Sequence, residues 1–249
     1  MPLPLTFRNQ TLKWGTRTYV MGILNVTPDS FSGDGLLASP ALQPDDVKGG
    51  AEEVSRALEQ ARRFLEAGAD ILDIGGESTR PGARTVSSEE ELARVAPVIQ
   101  ALRRETEALI SVDTYKADVA EAALKAGADL INDVWGFRAD PELAAVAARH
   151  RAPSILMHNR SRPANADVQA RLGGRYVGME YAHLLGDVKR ELMESVALAR
   201  AAGLPDELII LDPGIGFGKT VEQNLELVNH LDDIKSLGFP VLVGPSRKS

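Results

Sequence analysis

Ala67-Gly68-Ala69-Asp70-Ile71-Leu72-Asp73-Ile74-Gly75-Gly76 and Ala126-Gly127-Ala128-Asp129-Leu130-Ile131-Asn132-Asp133 repeat one local pattern. In each, Ala-Gly-Ala-Asp separates an amphipathic run from a short apolar run with a polar end. Upstream of the first copy, Val54, Leu58, Ala61, Phe64 and Leu65 recur at helical spacing. Gly68 and Gly127 suit the stop, because the residue after a helix often needs positive φ. Gly203 and Gly238 close two later helical runs in the same way. Ser87 followed by Glu90 predicts a capping box opening the helix that carries Leu92, Val95, Ile99 and Leu102.

On either side of these copies the pattern continues. Apolar runs at 20–24, 71–74, 109–113, 130–133, 154–157, 208–211 and 241–243 make seven predicted strands. They are nearly continuous in apolar residues, as parallel strands buried on both faces are. Strands alternating with helices mean α/β, either an open doubly wound sheet or a (β/α)8 barrel. A barrel takes about 250 residues. The predicted fold is therefore a (β/α)8 TIM barrel, a single domain over residues 1–249, C-terminally incomplete, with an eighth strand and last helix missing from the chain. An N-terminal β-hairpin around Arg8-Asn9-Gln10 is expected to plug the bottom.

Composition narrows the function. Apolar residues are 44% and charged residues 25% of 249, a globular balance. A net charge of −7 argues against a general nucleic-acid binder. Zero Cys excludes disulfides, thiolate metal sites and thiol catalysis, and four His argue against a multi-histidine site. Any metal should be a hard cation on oxygen ligands. The first residues lack a basic-then-apolar leader, and no apolar run approaches the ~18 residues of a membrane span. A cytoplasmic protein with no membrane and no nucleic-acid partner is expected.

Barrel active sites lie where the strands end. Here the strand ends carry Asn25, Asp73 or Glu77, Asp113, Asn132 or Asp133, His158, Asp212, and Arg247 with Lys248. Acceptors dominate the middle strands and cations arrive at the seventh, a ring suited to a flat heterocycle with N–H donors on one edge. Each member also has a plain packing role: Asp133 as a cap, Asp73 inside its strand, His158 and Met157 in the core. Asp212-Pro213-Gly214-Ile215-Gly216-Phe217-Gly218-Lys219 is not a phosphate-binding Walker loop, since Gly218-Lys219-Thr220 lacks the earlier Gly.

Two long segments then carry a resemblance. Met21-Gly22-Ile23-Leu24-Asn25-Val26-Thr27-Pro28-Asp29-Ser30-Phe31-Ser32 and Asp73-Ile74-Gly75-Gly76-Glu77-Ser78-Thr79-Arg80-Pro81-Gly82 resemble signatures of the dihydropteroate synthase family. Ser111-Val112-Asp113-Thr114, Ile131-Asn132-Asp133, Leu156-Met157-His158, the segment from Leu211 to Lys219 and Gly244-Pro245-Ser246-Arg247-Lys248-Ser249 follow in family order. The resemblance implies a barrel that joins 4-aminobenzoate to 6-hydroxymethyl-7,8-dihydropterin diphosphate, giving 7,8-dihydropteroate and pyrophosphate. That is a step of folate biosynthesis and the target of sulfonamides.

It also implies roles. Asp113, Asn132 and Asp212 would bind the pterin edge, with Lys248 on its carbonyl and ring-nitrogen side. Met157 and Phe217 would line the pterin slot. Asn25 would ligate Mg²⁺, Thr79 would touch the diphosphate-bearing substrate, and Arg80 and Pro81 belong to a second loop. Phe31, Pro81 and Ser249 would help to form the aminobenzoate pocket. Asp113, Asp212, Lys248 and Arg80 are the expected catalytic set, and a homodimer is implied for the complete protein. Two departures stand out: the family's Ser-Asp-Gly-Gly reads Ser32-Gly33-Asp34-Gly35 here, and its Arg-x-His motif is not within these residues.

The implied substitution is SN1-like. Diphosphate leaves a CH2 that the electron-rich ring stabilises, while Mg²⁺ and cations neutralise the leaving charge. Loops 26–40 and 77–88 are expected to be mobile lids that exclude water. The alternatives are a pterin-binding methyltransferase domain, which lacks the Thr27–Phe31 and Ser78–Gly82 segments, and a non-catalytic pterin-binding paralogue.

Overall fold

The first described element is a hairpin of β1 (Leu5–Phe7) and β2 (Gln10–Leu12), turned at Arg8 with φ 50°. This is a computed structural model, and it describes residues 2–27, 50–78, 85–160 and 180–245. Leu5 and Leu12 are buried against the core. Arg8 Nε donates to the carboxylate of Asp129, and Gln10 Nε2 donates to the carbonyl of Glu107 at 2.6 Å. Both acceptors lie just before strands, so the hairpin covers the end where strands begin, as predicted.

The main sheet follows: β3 (Met21–Asn25), β4 (Ile71–Gly75), β5 (Leu109–Asp113), β6 (Leu130–Asp133), β7 (Ser154–Met157) and β8 (Ile209–Asp212). All neighbours are parallel and the spatial order is the chain order. A doubly wound sheet reverses its order at a switch point. The described sheet has no reversal, so its order is that of a barrel wall.

Between the strands run α1 (Ala51–Glu66), α2 (Ser88–Glu105), α3 (Ala117–Ala126), α4 (Leu143–His150), α5 (Leu184–Ala201), α6 (Val221–Asn229) and α7 (Leu231–Lys235). Leu72, Ile74, Ile110, Val112, Ile131, Leu156 and Leu211 are buried on the helix side of the sheet. A side chain at Gly22 would collide with Phe64 of α1, its Cβ only 2.6 Å from the ring. Gly127 ends α3 at φ 119°, as its place in the repeat predicts. Ser87 Oγ accepts from the amide of Glu90 at 3.1 Å. A full capping box stands at Thr220 and Gln223, which the sequence pattern did not single out. No helix of the described residues is long and apolar enough to cross a membrane.

The predicted seventh barrel strand is reduced to one bridge, Val241 beside Leu211. It is flanked by Leu211 N–H to Pro240 O and Leu242 N–H to Leu211 O, at 2.9 and 2.8 Å. The segment has a sheet neighbour on one side only among the described residues, and a lone edge pairs weakly. At the other edge, Ile23 of β3 is 57% exposed although it lies on the inner face of the sheet.

Asp129, wholly buried, also receives Arg103 Nη2 and, at 2.9 Å, the amide of Ile110. Arg8 is 38% exposed and is the outermost of these partners. Arg8→Ala is therefore expected to lower stability by only about 1 kcal/mol, read by urea denaturation. A loss several times larger would mean that the hairpin, rather than Arg103, holds this end together.

Candidate active site

Paired residues in parallel strands share a face, and alternate residues share it along each strand. The pairings Asn25 with Gly75, Gly75 with Asp113, and Asp113 with Asn132 therefore put all four on one face. Asn132 pairs with Ile155, and two residues further along, Met157 pairs with Asp212. Thus Asn25, Asp113, Asn132, Met157 and Asp212 project from the inner face where the strands end. Their neighbours Leu24, Val112, Ile131, Leu156 and Leu211 face the helices and are buried.

Gly75 makes room at the centre of this row. A Cβ there would lie 3.4 Å from both Asn25 Oδ1 and Asp113 Oδ2. The two oxygens thus overlook one space that only glycine leaves open. Asn132 is held from below, its Nδ2 donating to Asp73 Oδ2 at 2.9 Å. Asp73 is 2% exposed, and burial pushes its carboxyl upward despite hydrogen bonding.

Asp212 closes the row. Its Oδ1 accepts from the Gly214 amide at 2.7 Å. Burial raises its carboxyl to about 6, against the pull of that amide and of the Lys219 charge. The loop after β8 folds around Lys219, which is 1% exposed. Lys219 Nζ donates to the carbonyls of Gly214 at 2.8 Å and Phe217 at 3.0 Å. Burial lowers this ammonium to about 7, with Asp212 opposing. Phe217, half-buried on that loop, stands five residues past Asp212.

Three strand-end candidates face elsewhere. Asp133 points to the helix side and accepts from the amides of Trp135 and Phe137, at 2.8 and 2.6 Å, so it is a loop cap. His158 is buried with Nε2 3.0 Å from Glu191 of α5. Burial lowers its imidazole to about 4, so it is a neutral core residue donating to a carboxylate. Glu77 takes Lys116 Nζ and the Tyr115 hydroxyl, while Lys116 also reaches Glu91 at 2.6 Å and the Val86 carbonyl at 2.8 Å. Phe31, Thr79, Arg80, Pro81, Lys248 and Ser249 lie outside the described residues, as do Asp34, Arg247, and residues 28–40 and 79–84 of the two predicted lid loops.

Asp73, Lys219 and Lys116 are the site features that pattern alone missed or left open. Lys219 carried one signal, a lone cation in a glycine loop between a strand end and a helix. Among the described residues, the one group of three carboxylate or imidazole ligands poised for a metal is His230, Asp232 and Asp233, near the α6–α7 junction and not at the strand ends.

Comparison with known proteins identifies the family. A family model described as pterin binding enzyme matches residues 21–249. A dihydropteroate synthase of Clostridium beijerinckii is 48% identical over 235 residues, covering 94% of this chain and 76% of the relative. One from Synechocystis is 49% identical over 248 residues, covering 100% of this chain and 78% of the relative. A Xanthomonas albilineans dihydropteroate synthase solved with 4-aminobenzoic acid superimposes with TM-score 0.78 at 41% identity, covering 96% of this chain and 76% of that one. A Clostridium difficile dihydropteroate synthase solved in the presence of pteroic acid gives 0.79 at 43%, covering 94% and 78%.

Proposed function

Because this chain belongs to the dihydropteroate synthase family of pterin-binding enzymes, we propose that its inner-face row of strand-end residues carries that family's chemistry. The activity is the transferase step of folate biosynthesis that joins 4-aminobenzoate to the pterin with loss of pyrophosphate. One observation supports the residue assignment above others: Asn25, Asp113, Asn132, Met157 and Asp212, from five strands, share one face at one end of the sheet.

In this reading Asp113, Asn132 and Asp212 hold the donor-rich edge of the pterin, and Met157 and Phe217 line its slot. Lys248, Thr79, Arg80, Phe31, Pro81 and Ser249 complete the site around the diphosphate and the aminobenzoate. The bond from the CH2 carbon to the diphosphate oxygen breaks with its electron pair leaving on diphosphate. The amine nitrogen of 4-aminobenzoate then forms the C–N bond and sheds a proton. Asp113 and Asp212 lie close to the ring, so their negative charge favours the cation that forms between these events. No covalent protein nucleophile takes part.

Asn25 fits Mg²⁺ by chemistry. Its amide oxygen is a hard donor, and the glycine beside it leaves open space shared with Asp113 Oδ2. A single protein donor is in keeping with Mg²⁺, which keeps waters and binds substrate phosphates. When bound, the ion would offset charge on the departing diphosphate.

The same reading takes residues 1–249 as one barrel domain and the location as cytoplasmic, where phosphorylated pterins and folate are handled. It also includes a homodimer. Val221, Leu225 and Val228 form an exposed apolar stripe on α6 at helical spacing, suited to a partner copy. Sedimentation tests the pairing.

The test of function mixes both substrates with Mg²⁺ and measures pyrophosphate. Release that requires 4-aminobenzoate, and that stops with a chelator, is expected. Pterin binding without release would instead make the chain a binding module.

A further inference from the structure

Asp73 is an unusual residue for its place. It sits in the middle of β4 on the inner face, 2% exposed, in register with Ser111 of β5. Among the described residues it makes no ion pair with a cationic side chain. A buried carboxylate without a cation is costly and calls for strong hydrogen bonding. One such bond is clear: Asn132 Nδ2 donates to Asp73 Oδ2 at 2.9 Å. It reaches from β6 to β4 across the intervening strand β5. The residue of β5 beside Asp73 is Ser111, small and wholly buried; its hydroxyl also favours the ionised carboxylate, and its size leaves room for this crossing.

We infer that Asp73 is a positioning residue for the pterin site, holding the Asn132 amide in one orientation. A carboxylate oxygen draws the NH2 end of the amide toward itself. That leaves the carbonyl oxygen and the second N–H of Asn132 to meet a ligand, in a fixed sense. An unheld asparagine can flip, offering a donor where the ligand needs an acceptor. The role works through hydrogen-bond geometry, not through charge. It rests on the functional reading above, in which Asn132 contacts the pterin.

The experiment compares Asp73→Val, Asp73→Ala and Asp73→Asn in the full chain, alone and combined with Asn132→Ala. The probe is 6-hydroxymethyl-7,8-dihydropterin diphosphate, with its affinity measured by calorimetry and its KM and kcat measured in turnover. Circular dichroism and melting identify variants that fold. Alanine removes the acceptor and empties its place while valine fills that place with apolar atoms, so the pair separates loss of the acceptor from loss of packing.

Asp73→Val or Asp73→Ala should weaken pterin binding about 10-fold, the usual worth of one oriented hydrogen bond. KM for 4-aminobenzoate should stay unchanged. Asp73→Asn, whose amide oxygen still accepts, should stay within about threefold of the parent. In the Asn132→Ala background the Asp73 changes should add nothing further. Unaltered pterin affinity in the acceptor-free variants overturns the inference. So does an Asp73 effect that persists without Asn132, or an Asp73→Asn loss as large as that of alanine. If the parent chain itself fails to bind the pterin, the functional reading falls first and this inference with it.

Discussion

Asp212→Asn is expected to weaken pterin binding by roughly 100-fold or more. Asp212 is 7% exposed and has one carboxylate oxygen committed to the Gly214 amide. The proposed ligand edge also donates to it. A carboxylate accepts on both sides, but an amide accepts on one and donates on the other. The amide that replaces the carboxylate in this variant must therefore set its NH2 group either against the Gly214 N–H or against the ligand's N–H. Each leaves a buried donor unpaired, which costs about 1–3 kcal/mol on top of the lost charge-assisted bond.

The same residue sets a pH dependence. Burial raises the Asp212 carboxyl to about 6, with the Gly214 amide and Lys219 pulling the other way. The ionised form is the one that accepts from the pterin. Affinity should therefore fall as pH drops below about 6, approaching tenfold per unit. The contribution to folding has the opposite sign. In the unfolded chain the group titrates at its ordinary value of 3.8. Between that value and about 6 the folded protein holds the proton more tightly. This contribution is full below 3.8 and is lost as pH rises through 6. Isothermal titration across pH 5–8 should show an inflection near 6 in the parent that is lost in Asp212→Asn, while any step near 7 from Lys219 stays. An identical pH profile in both would remove Asp212 from the ligand contact.

Gly214→Ala is the second large effect. Gly214 has φ 70°, and a Cβ there would sit 2.0 Å from the carbonyl oxygen of His158. That carbonyl cannot retreat freely, because the His158 amide is bonded to Asp212 O at 2.8 Å and ends the β7–β8 ladder. Positive φ alone costs about 1–2 kcal/mol for a residue with a Cβ. The collision should bring the total to about 4 kcal/mol, or a melting point roughly 10 °C lower. Gly216→Ala is the matched control. It also has positive φ, 84°, but nothing lies within 4 Å of its added Cβ. It should show the φ cost alone. Equal losses in the two variants would show that the close approach to His158 is not what requires glycine at position 214.

Much of this was legible in the chain because it is periodic. Gly68, Gly127, Gly203 and Gly238 all take positive φ after helices, and six of the seven apolar runs became strands of one parallel sheet. Site residues at strand ends were legible because each interrupts an apolar run at a fixed place. The face that a strand-end residue uses was not. Asn132 and Asp133 are adjacent, and only pairing with Asp113 sends one inward and the other to a loop cap. His158 follows Met157 and faces α5 for the same reason.

Long-range partners left no mark on local pattern either. Asp73 and Asn132 are 59 residues apart, and Lys116 gathers Glu77, Val86 and Glu91 from two other elements. Lys219 is the clearest case. A lysine reads as a surface residue, yet backbone carbonyls of its own tight loop satisfy this one in the interior.

Every assignment here requires that one inner face, at one end of the strands, receives the pterin. A crystal structure of the chain with 6-hydroxymethylpterin bound decides the matter. The N–H edge of the ring should lie within hydrogen-bond distance of Asp113, Asn132 and Asp212, with Met157 against its face. A ring bound instead in the groove lined by Pro2, Met193, Arg200 and Phe239, with the strand-end row untouched, would contradict that placement.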